Sequence, residues 1–153
     1  MFLNLSYNAS ISELHIDRNR LRPQGQVECD IDSMSVFFDV NQCLKSISLA
    51  QCGLGDSGVL QICAGLKRNS SLGFLDLSNN EIADEGAGQL AAAWQDGKTR
   101  LTHLNLSDNR ITDTGALKLA HACRYLQPQQ RTIVELNLMN NMIGADGAFY
   151  LGE

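Results

Sequence analysis

Apolar residues recur along this chain in one fixed spacing, Leu-x-x-Leu-x-Leu-x-x-Asn-x-Leu, with a glycine four residues further on. Ile or Cys is allowed at some of these places. Four copies are in register, at residues 44–58, 72–86, 101–115 and 133–147, and a looser copy at 11–21 precedes them. The four copies begin 28, 29 and 32 residues apart. Such a period leaves room for one strand and one helix in each repeat.

The first half of each copy predicts a short β-strand. In residues 72–80, Leu75 and Leu77 alternate with Phe74 and Asp76, which is the period-2 pattern of a strand with one buried face. The other face of the strand is open. The sequence therefore predicts one strand in each repeat, with its polar residues on an accessible surface.

Each predicted strand ends at an asparagine that turns the chain. A buried Asn such as Asn80 bonds the backbone groups that a sharp turn leaves unpaired, and stacked copies are expected to form a ladder. Cys52 takes this place in one copy and supplies a weaker contact. After the turn, Asp56, Asp84 and Asp113 each precede a glycine by two residues. We expect these carboxylates to cap the helices that begin there.

The second half of each copy predicts a helix. Apolar residues follow at the i, i+3, i+4, i+7 spacing of a helix with one buried face. The full stripes are Val59, Ile62, Cys63 and Leu66; Ala87, Leu90, Ala91 and Trp94; and Ala116, Leu119, Ala120 and Cys123. Ile31, Met34, Ser35 and Phe38 give the first copy a helix in the same register, while Ala148 and Leu151 begin a last stripe.

Two segments of the chain, 75–86 and 104–115, resemble the ribonuclease-inhibitor-like subfamily of leucine-rich repeats. They read Leu-Asp-Leu-Ser-Asn-Asn-Glu-Ile-Ala-Asp-Glu-Gly and Leu-Asn-Leu-Ser-Asp-Asn-Arg-Ile-Thr-Asp-Thr-Gly. The resemblance covers about residues 11–151, although the 32-residue step and an enlarged first loop depart from the regular period. It implies an α/β fold, a curved leucine-rich-repeat solenoid with a parallel sheet on its concave side and helices outside. For nearly all relatives it also implies a surface that holds another protein.

The resemblance does not decide how the two ends of the chain and two enlarged loops are to be interpreted. Residues 2–8 read as an irregular strand and turn that caps the array, or else the chain is a piece of a longer solenoid. We favour the longer solenoid, because the last stripe is unfinished at Glu153. Residues 1–153 are thus expected to form a single array of about five repeats that packs at its C-terminal end on further repeats or another chain. Enlarged loops near residues 22–27 and 126–131 are either recognition loops or plain surface loops.

Composition narrows the possible partners and the compartment. A net charge of -5 with only 12 Lys and Arg provides no basic stripe, so neither nucleic acid nor an anionic membrane is an expected partner. No basic leader and no stretch of about 18 apolar residues is present in the sequence. Five cysteines lack metal-site or disulfide spacing, and three of them fall on core positions. We expect a cytoplasmic protein that binds a basic or neutral protein surface.

The open face of the predicted sheet is the candidate binding surface. Its predicted positions are Glu13, His15 and Asp17; Ser46, Ser48 and Ala50; Phe74, Asp76 and Ser78; His103, Asn105 and Ser107; and Glu135, Asn137 and Met139. We expect Phe74, His103 and Met139 to be anchors, Asp17, Asp76 and Glu135 to be acidic contacts, and Asn105 and Asn137 to be polar contacts. The alternative is that this face is merely solvated and the partner contacts the loops, the helices or further repeats.

Catalytic chemistry has little support in the sequence. His15 and His103 fall three predicted strands apart, about 14 Å, which is too far to share a metal ion. His121 and Cys123 lie on different faces of one helix, and the glycines follow the repeat register rather than a phosphate-loop motif. We therefore expect no enzyme activity, no metal and no cofactor.

Two classes of function remain. The first is a non-enzymatic interaction scaffold, such as a subunit of a cytoskeletal or ciliary assembly. The second is a regulator resembling the Ran GTPase-activating protein, which would supply a polar side chain from the turn-flanking residues Asn79, Asp108 and Asn140. These three residues stand where the repeat commonly places a polar turn residue, so the scaffold is the preferred interpretation.

Overall fold

The computed structural model describes residues 2–19, 21, 31–96, 99–124 and 133–152. Within them, five strands form one parallel sheet in chain order: β1 Glu13–His15, β2 Ser46–Ser48, β3 Phe74–Asp76, β4 His103–Asn105 and β5 Glu135–Asn137. The helices are α1 Phe2–Ser6, α2 Ile31–Val40, α3 Gly55–Leu66, α4 Asp84–Asp96, α5 Asp113–Arg124 and α6 Ala145–Gly152. The two enlarged loops of the sequence lie outside the described residues.

Each strand pairs with the strand of the next repeat in the same register, and each helix packs on the next helix. Neighbouring strands are about 4.8 Å apart, whereas packed helices are about 8–10 Å apart. The stack therefore bends with the sheet on its inner side, and the chain is a curved α/β solenoid. This confirms the predicted strand and helix of each repeat, including the helix of the first copy.

The core lies between the sheet and the helices, because every strand turns one apolar residue inward and every helix contributes a stripe. Fully or nearly fully buried members include Ile47, Leu49, Ile62, Leu66, Leu75, Leu77, Leu90, Leu104, Leu106 and Leu119. The predicted stripes of α3 and α4 are buried throughout. In α5, Cys123 is only half-buried and Ala122 is buried in addition. In α6, Ala148 and Leu151 lie on the predicted helix but are exposed, because no described element packs over them.

The predicted asparagine ladder is present. Asn109 Oδ1 accepts the backbone N–H groups of Asn80 at 3.0 Å and of Ile82 at 2.9 Å, both in the preceding repeat. Its Nδ2 donates to three carbonyls, those of Leu77, Leu106 and Ser107. Asn80 serves the backbone of Cys52 and Leu54 in the same way. The turns at Cys52, Asn80 and Asn109 are thus each held by the asparagine of the following repeat.

The aspartates after the turns do not cap their own helices, which corrects the sequence interpretation. Asp84 Oδ1 accepts the N–H groups of Thr112 at 2.8 Å and Gly115 at 3.0 Å, which belong to the start of the next helix, α5. Asp113 Oδ1 likewise accepts the N–H groups of Gly144 and Gly147 at the start of α6. The unpaired N–H groups at a helix start are therefore satisfied by the preceding repeat.

The N-terminal segment is a helix, not the predicted strand. Phe2 is buried, and its ring centroid lies 5.4 Å from that of Phe37 in α2. Asn8 Oδ1 accepts the N–H groups of Ser10 and Ile11, just as Asn41 and Asn69 hold the turns after α2 and α3. Asn8 therefore belongs to the turn from helix to strand. The alternation of Leu3 and Leu5 suggested a strand, but so short a segment fits the period of a helix as well as that of a strand.

No helix in the described part of the chain is long and apolar enough to cross a membrane.

Candidate partner-binding surface

The parallel register arranges the concave side chains in two rows across the sheet. The first row is Glu13, Ser46, Phe74, His103 and Glu135, and the second row is His15, Ser48, Asp76, Asn105 and Asn137. Each row crosses five strands, a span of about 19 Å between its outermost members. The sequence places these residues side by side because every repeat uses the same strand register.

The second row is held by local hydrogen bonds. Asp76 Oδ1 accepts the backbone N–H of Ser78 at 2.8 Å, and Asn105 Oδ1 accepts that of Ser107 at 3.1 Å. Asn137 Oδ1 repeats the contact with Met139 at 3.0 Å. Each side chain is thereby fixed through one atom, and its other terminal atom makes no hydrogen bond within the described part of the chain. Preorganised polar groups of this kind lower the entropy cost of binding.

Asp17, predicted as an acidic contact, is engaged within the chain. Its Oδ1 accepts the hydroxyl of Ser48 and the N–H of Ala50, the latter at 3.0 Å. Asp17 follows β1, whereas the aromatic residues of the first row lie on β3 and β4. The structure therefore gives Asp17 a role in joining the first two repeats and separates it from the other predicted contacts.

Phe74, His103, Asn105, Glu135 and Asn137 line one groove, together with the backbone around Leu104. The ring centroids of Phe74 and His103 are 6.4 Å apart, and their planes are inclined by 35°. The groove has a volume of about 190 Å³. Asp76 and Met139 lie outside this lining. We call these five residues and their cavity the concave groove.

Thr102 is a member of the site that sequence reasoning missed. Its Oγ1 lies 2.9 Å from Nδ1 of His103 and 3.1 Å from the carbonyl oxygen of Gly73. Thr102 directly precedes β4, so the period-2 pattern of the strand did not include it. The sequence did contain one indication of this contact, namely a hydroxyl residue directly before a histidine that was predicted to be on the surface. The contact fixes the orientation of the His103 ring.

The electrostatics of the concave face are negative. Glu13, Asp17, Asp76 and Glu135 occupy concave positions, and none of the predicted concave positions holds Lys or Arg. Ser48 and Ser107 are buried and do not add to the accessible surface. The face therefore complements a basic or polar partner rather than an acidic one.

Metal ligation finds no support in the described residues. They contain no group of three or more His, Cys, Asp and Glu side chains placed to hold a metal ion. His15 and His103 stand on β1 and β4, three strands apart, as the sequence indicated.

The turn-flanking residues Asn79, Asp108 and Asn140 have left-handed backbones, with φ of 55°, 57° and 54°. Asn and Asp tolerate this conformation better than most residues. The amide of Asn140 also donates to Asp108 Oδ1 at 2.9 Å. Their residue types are thus explained by the turns they form.

A larger cavity, of about 480 Å³, lies at the last described repeat, on the side away from the concave groove. It is lined by Ala120, Cys123, Arg124, Ile133, Val134, Leu136, Tyr150 and Leu151. Val134 is 74% exposed and Phe149 is 63% exposed. Leu136 and Leu138 are only partly buried, whereas Leu104 and Leu106, at the same positions of the preceding repeat, are buried. The core is therefore partly open at the last described repeat.

Comparison with known proteins agrees with this architecture. A family model described as "Leucine Rich repeat" matches residues 40–63, 68–91, 98–120 and 129–152, more than half of the chain. This chain belongs to the leucine-rich-repeat family. Ribonuclease inhibitor of Sus scrofa is 34% identical over 110 residues, covering 72% of this chain and 23% of that protein. The ribonuclease-inhibitor-like resemblance of the sequence is thereby confirmed.

Other relatives of this leucine-rich-repeat chain carry varied names. A protein phosphatase 1 regulatory subunit 37 homolog of Caenorhabditis briggsae is 33% identical over 94 residues, which cover 58% of this chain and 10% of the relative. A NACHT, LRR and PYD domains-containing protein 4C of Mus musculus is 28% identical over 150 residues, or 97% of this chain and 14% of the relative. The chain thus spans between 10% and 23% of these curated relatives. Membership of this family implies protein–protein interaction.

Proposed function

We propose that this leucine-rich-repeat chain is a non-enzymatic scaffold that binds a protein partner on its concave face. The observation that carries the proposal is the concave groove, where exposed Phe74 and part-exposed His103 stand beside Glu135 on a rigid sheet. Aromatic residues at the centre of a polar surface are the usual anchors of protein interfaces. Met139, which is 68% exposed, extends the anchor surface past the end of β5.

The size of the groove favours a protein partner over a small molecule. Pockets that enclose a small ligand have volumes of roughly 300–1,000 Å³, whereas the concave groove has about 190 Å³. Such a groove accommodates one side chain of a larger partner. The remaining polar residues of the two rows then contact the rest of the partner surface.

The rigidity of the sheet supports the same proposal. Asn80 and Asn109 join successive turns, and Asp84 and Asp113 join successive helices. A surface fixed in this way loses little conformational entropy when a partner binds.

The test is partner capture from cell extract with two matched triple variants. The concave variant carries Phe74→Ala, His103→Ala and Met139→Ala. The control variant carries Val36→Ala, Val40→Ala and Leu60→Ala, which also truncate exposed side chains but lie on the helices α2 and α3. We expect a stoichiometric partner to be retained by the wild type and the control and lost from the concave variant. A partner lost only from the control variant would move the binding site to the helices.

We further propose that the chain works in the cytoplasm, within a cytoskeletal or ciliary assembly whose subunits it positions. The regulatory-subunit name of one relative supports a role in binding rather than in catalysis. Proximity labelling in cells tests the assembly. Labelled proteins drawn from the cytoskeleton or cilium would support it, and labelling confined to another compartment would exclude it.

The alternative, regulation of a GTPase in the manner of the Ran GTPase-activating protein, has no observation in its favour. The residues that it requires, Asn79, Asp108 and Asn140, are explained by their left-handed turns. A GTP-hydrolysis assay with candidate GTPases separates the two functions. Acceleration that disappears with Asn79→Ala or Asn140→Ala would overturn the scaffold proposal.

The apolar end of the array supports a second contact, with further repeats of a longer solenoid or with another chain. Val134, Phe149 and Leu151 are exposed there beside the larger cavity. Apolar surface of this kind is typical of a face that packs on another molecule. Analytical ultracentrifugation of the wild type and a Phe149→Glu variant tests it. Self-association that the variant abolishes would identify the contact, while a monomeric wild type would exclude contact between copies.

A further inference from the structure

The hydrogen bonds of Thr102 favour one of the two tautomers of a neutral His103 ring. The Thr102 hydroxyl has one proton and lies 3.1 Å from the Gly73 carbonyl oxygen and 2.9 Å from His103 Nδ1. If the proton pointed at Nδ1, two oxygen atoms would face each other at 3.1 Å with no hydrogen between them. When it points at Gly73, both contacts are favourable, because Nδ1–H then donates to the hydroxyl oxygen.

This arrangement leaves Nε2 of neutral His103 with a lone pair. His103 lines the concave groove with Phe74 on one side and Glu135 on the other, each on an adjacent strand in the same register. The groove thus offers an imidazole lone pair, a carboxylate and an aromatic face. All three are electron-rich, and all three favour a cation with N–H donors.

We propose that the concave groove binds an arginine side chain of the partner, an inference that rests on the proposed function. A guanidinium group is planar and carries five N–H donors, so it stacks on an aromatic ring while donating to acceptors at its edge. Phe74 provides the ring, and His103 Nε2 and Glu135 provide the acceptors. A lysine ammonium has no plane to stack and fewer donors, so it uses this combination less well.

The two asparagines that line the groove suit the backbone of the same partner segment. Asn105 and Asn137 have their Oδ1 atoms occupied by backbone N–H groups. Their NH₂ groups have no acceptor within the described part of the chain, and they can donate to peptide carbonyls. The groove therefore accepts donors from the arginine side chain and provides donors for the backbone that carries it.

The test is a nuclear magnetic resonance titration of the isotope-labelled chain with three blocked tripeptides, acetyl-Gly-X-Gly-amide. X is arginine, lysine or citrulline, where citrulline keeps the shape of arginine without its charge. We expect saturable shifts at Phe74, His103 and Glu135 with the arginine peptide, and binding weaker by roughly five-fold or more with the other two. Glu135→Gln is expected to reduce arginine binding by a similar factor.

Glu85→Gln is the matched control, because Glu85 is an exposed carboxylate on helix α4 and not on the concave face. It should leave arginine binding unchanged. Equal binding of the arginine and citrulline peptides, or equal loss with both Glu variants, would overturn the inference. A partner whose binding requires Phe74 but shows no preference for arginine would leave the proposed function intact. It would refute only the proposal that the groove binds arginine.

Discussion

Asp84 Oδ1 accepts the backbone N–H of Gly115 at 3.0 Å, and a Cβ atom built on Gly115 lies 2.5 Å from that same oxygen. The hydrogen bond joins two successive repeats, and the close approach leaves no room for a side chain. The same approach occurs between Asp113 and Gly147. The aspartates of Asp84-x-Gly86 and Asp113-x-Gly115 therefore join neighbouring helices, because each accepts the N–H group of the glycine in the next repeat.

This joint predicts that Gly115→Ala lowers the free energy of unfolding by about 1–3 kcal/mol, since the added methyl group displaces the carboxylate. In an Asp84→Ala background the cost should be smaller by about 1 kcal/mol, because the oxygen is gone. Relief is incomplete, since Ile111 also lies near the added carbon. Urea denaturation of the four proteins measures the coupling. Gly152→Ala, where nothing lies within 4 Å, is the control, and additive losses at Asp84 and Gly115 would contradict the joint.

Acid should weaken the same joint. Partial burial raises the pKa of Asp84, but the hydrogen bonds from Thr112 and Gly115 and the charge of Lys118 outweigh it and hold the pKa below the usual 3.8. A lowered pKa stabilises the fold above the unfolded value and loses that stabilisation as the pH falls through the folded value. Asp84→Asn should therefore flatten the dependence of stability on pH below about 4. An unchanged slope for Asp84→Asn would be the contrary result.

Much of this fold was predictable from the sequence, because the same pattern of apolar and polar residues recurs in several copies. The strand register, the buried leucines and the Asn80 ladder all follow from one pattern and its period. The direction of the aspartate contacts does not follow from this pattern. Asp84 is close to the start of its own helix in sequence, and it is close to the next helix only in the folded structure. The strand prediction for residues 2–8 was wrong for a different reason. A single short copy of Leu-x-Leu does not distinguish the end of a helix from a strand.

The asparagine ladder predicts a large effect at one inner position. Asn109→Ala should lower the free energy of unfolding by at least about 2 kcal/mol, because it leaves the buried N–H groups of Asn80 and Ile82 without their acceptor. Among the described residues, Asn19 makes only local contacts at an exposed turn, with the carbonyls of Ile16 and Asp17. Asn19→Ala should therefore cost less than about 1 kcal/mol. Chemical denaturation compares the two, and equal losses would argue against a structural ladder.

The buried thiols should resist modification in the folded chain. Burial raises the pKa of the Cys63 thiol to about 12, and the charge of Lys67 offsets this only in part. Cys43 is part-exposed and serves as the internal reference. With iodoacetamide at pH 8, alkylation mapped by mass spectrometry should be at least about ten-fold slower at Cys63 than at Cys43. Equal rates would show that helix α3 opens readily.

The concave groove was predictable only in part. The sequence places Phe74, His103 and Glu135 on one face because the strands share a register. It does not show that Asp17 is held by Ser48, because the pattern places both on the concave face without giving the distance between their side chains. Nor does it show that Thr102 orients His103, because Thr102 lies outside the alternating pattern. Side-chain hydrogen bonds between repeats depend on distances that the period alone does not give.

The central claim, that the concave face binds a protein, is tested most directly by photo-crosslinking. A benzoylphenylalanine is placed at Phe74 or Met139 on the concave side, and at Val36 or Leu60 on the helices, four positions that are all exposed. We predict that one protein crosslinks from Phe74 and Met139 and not from Val36 or Leu60. The same protein crosslinking only from Val36 and Leu60 would contradict the claim.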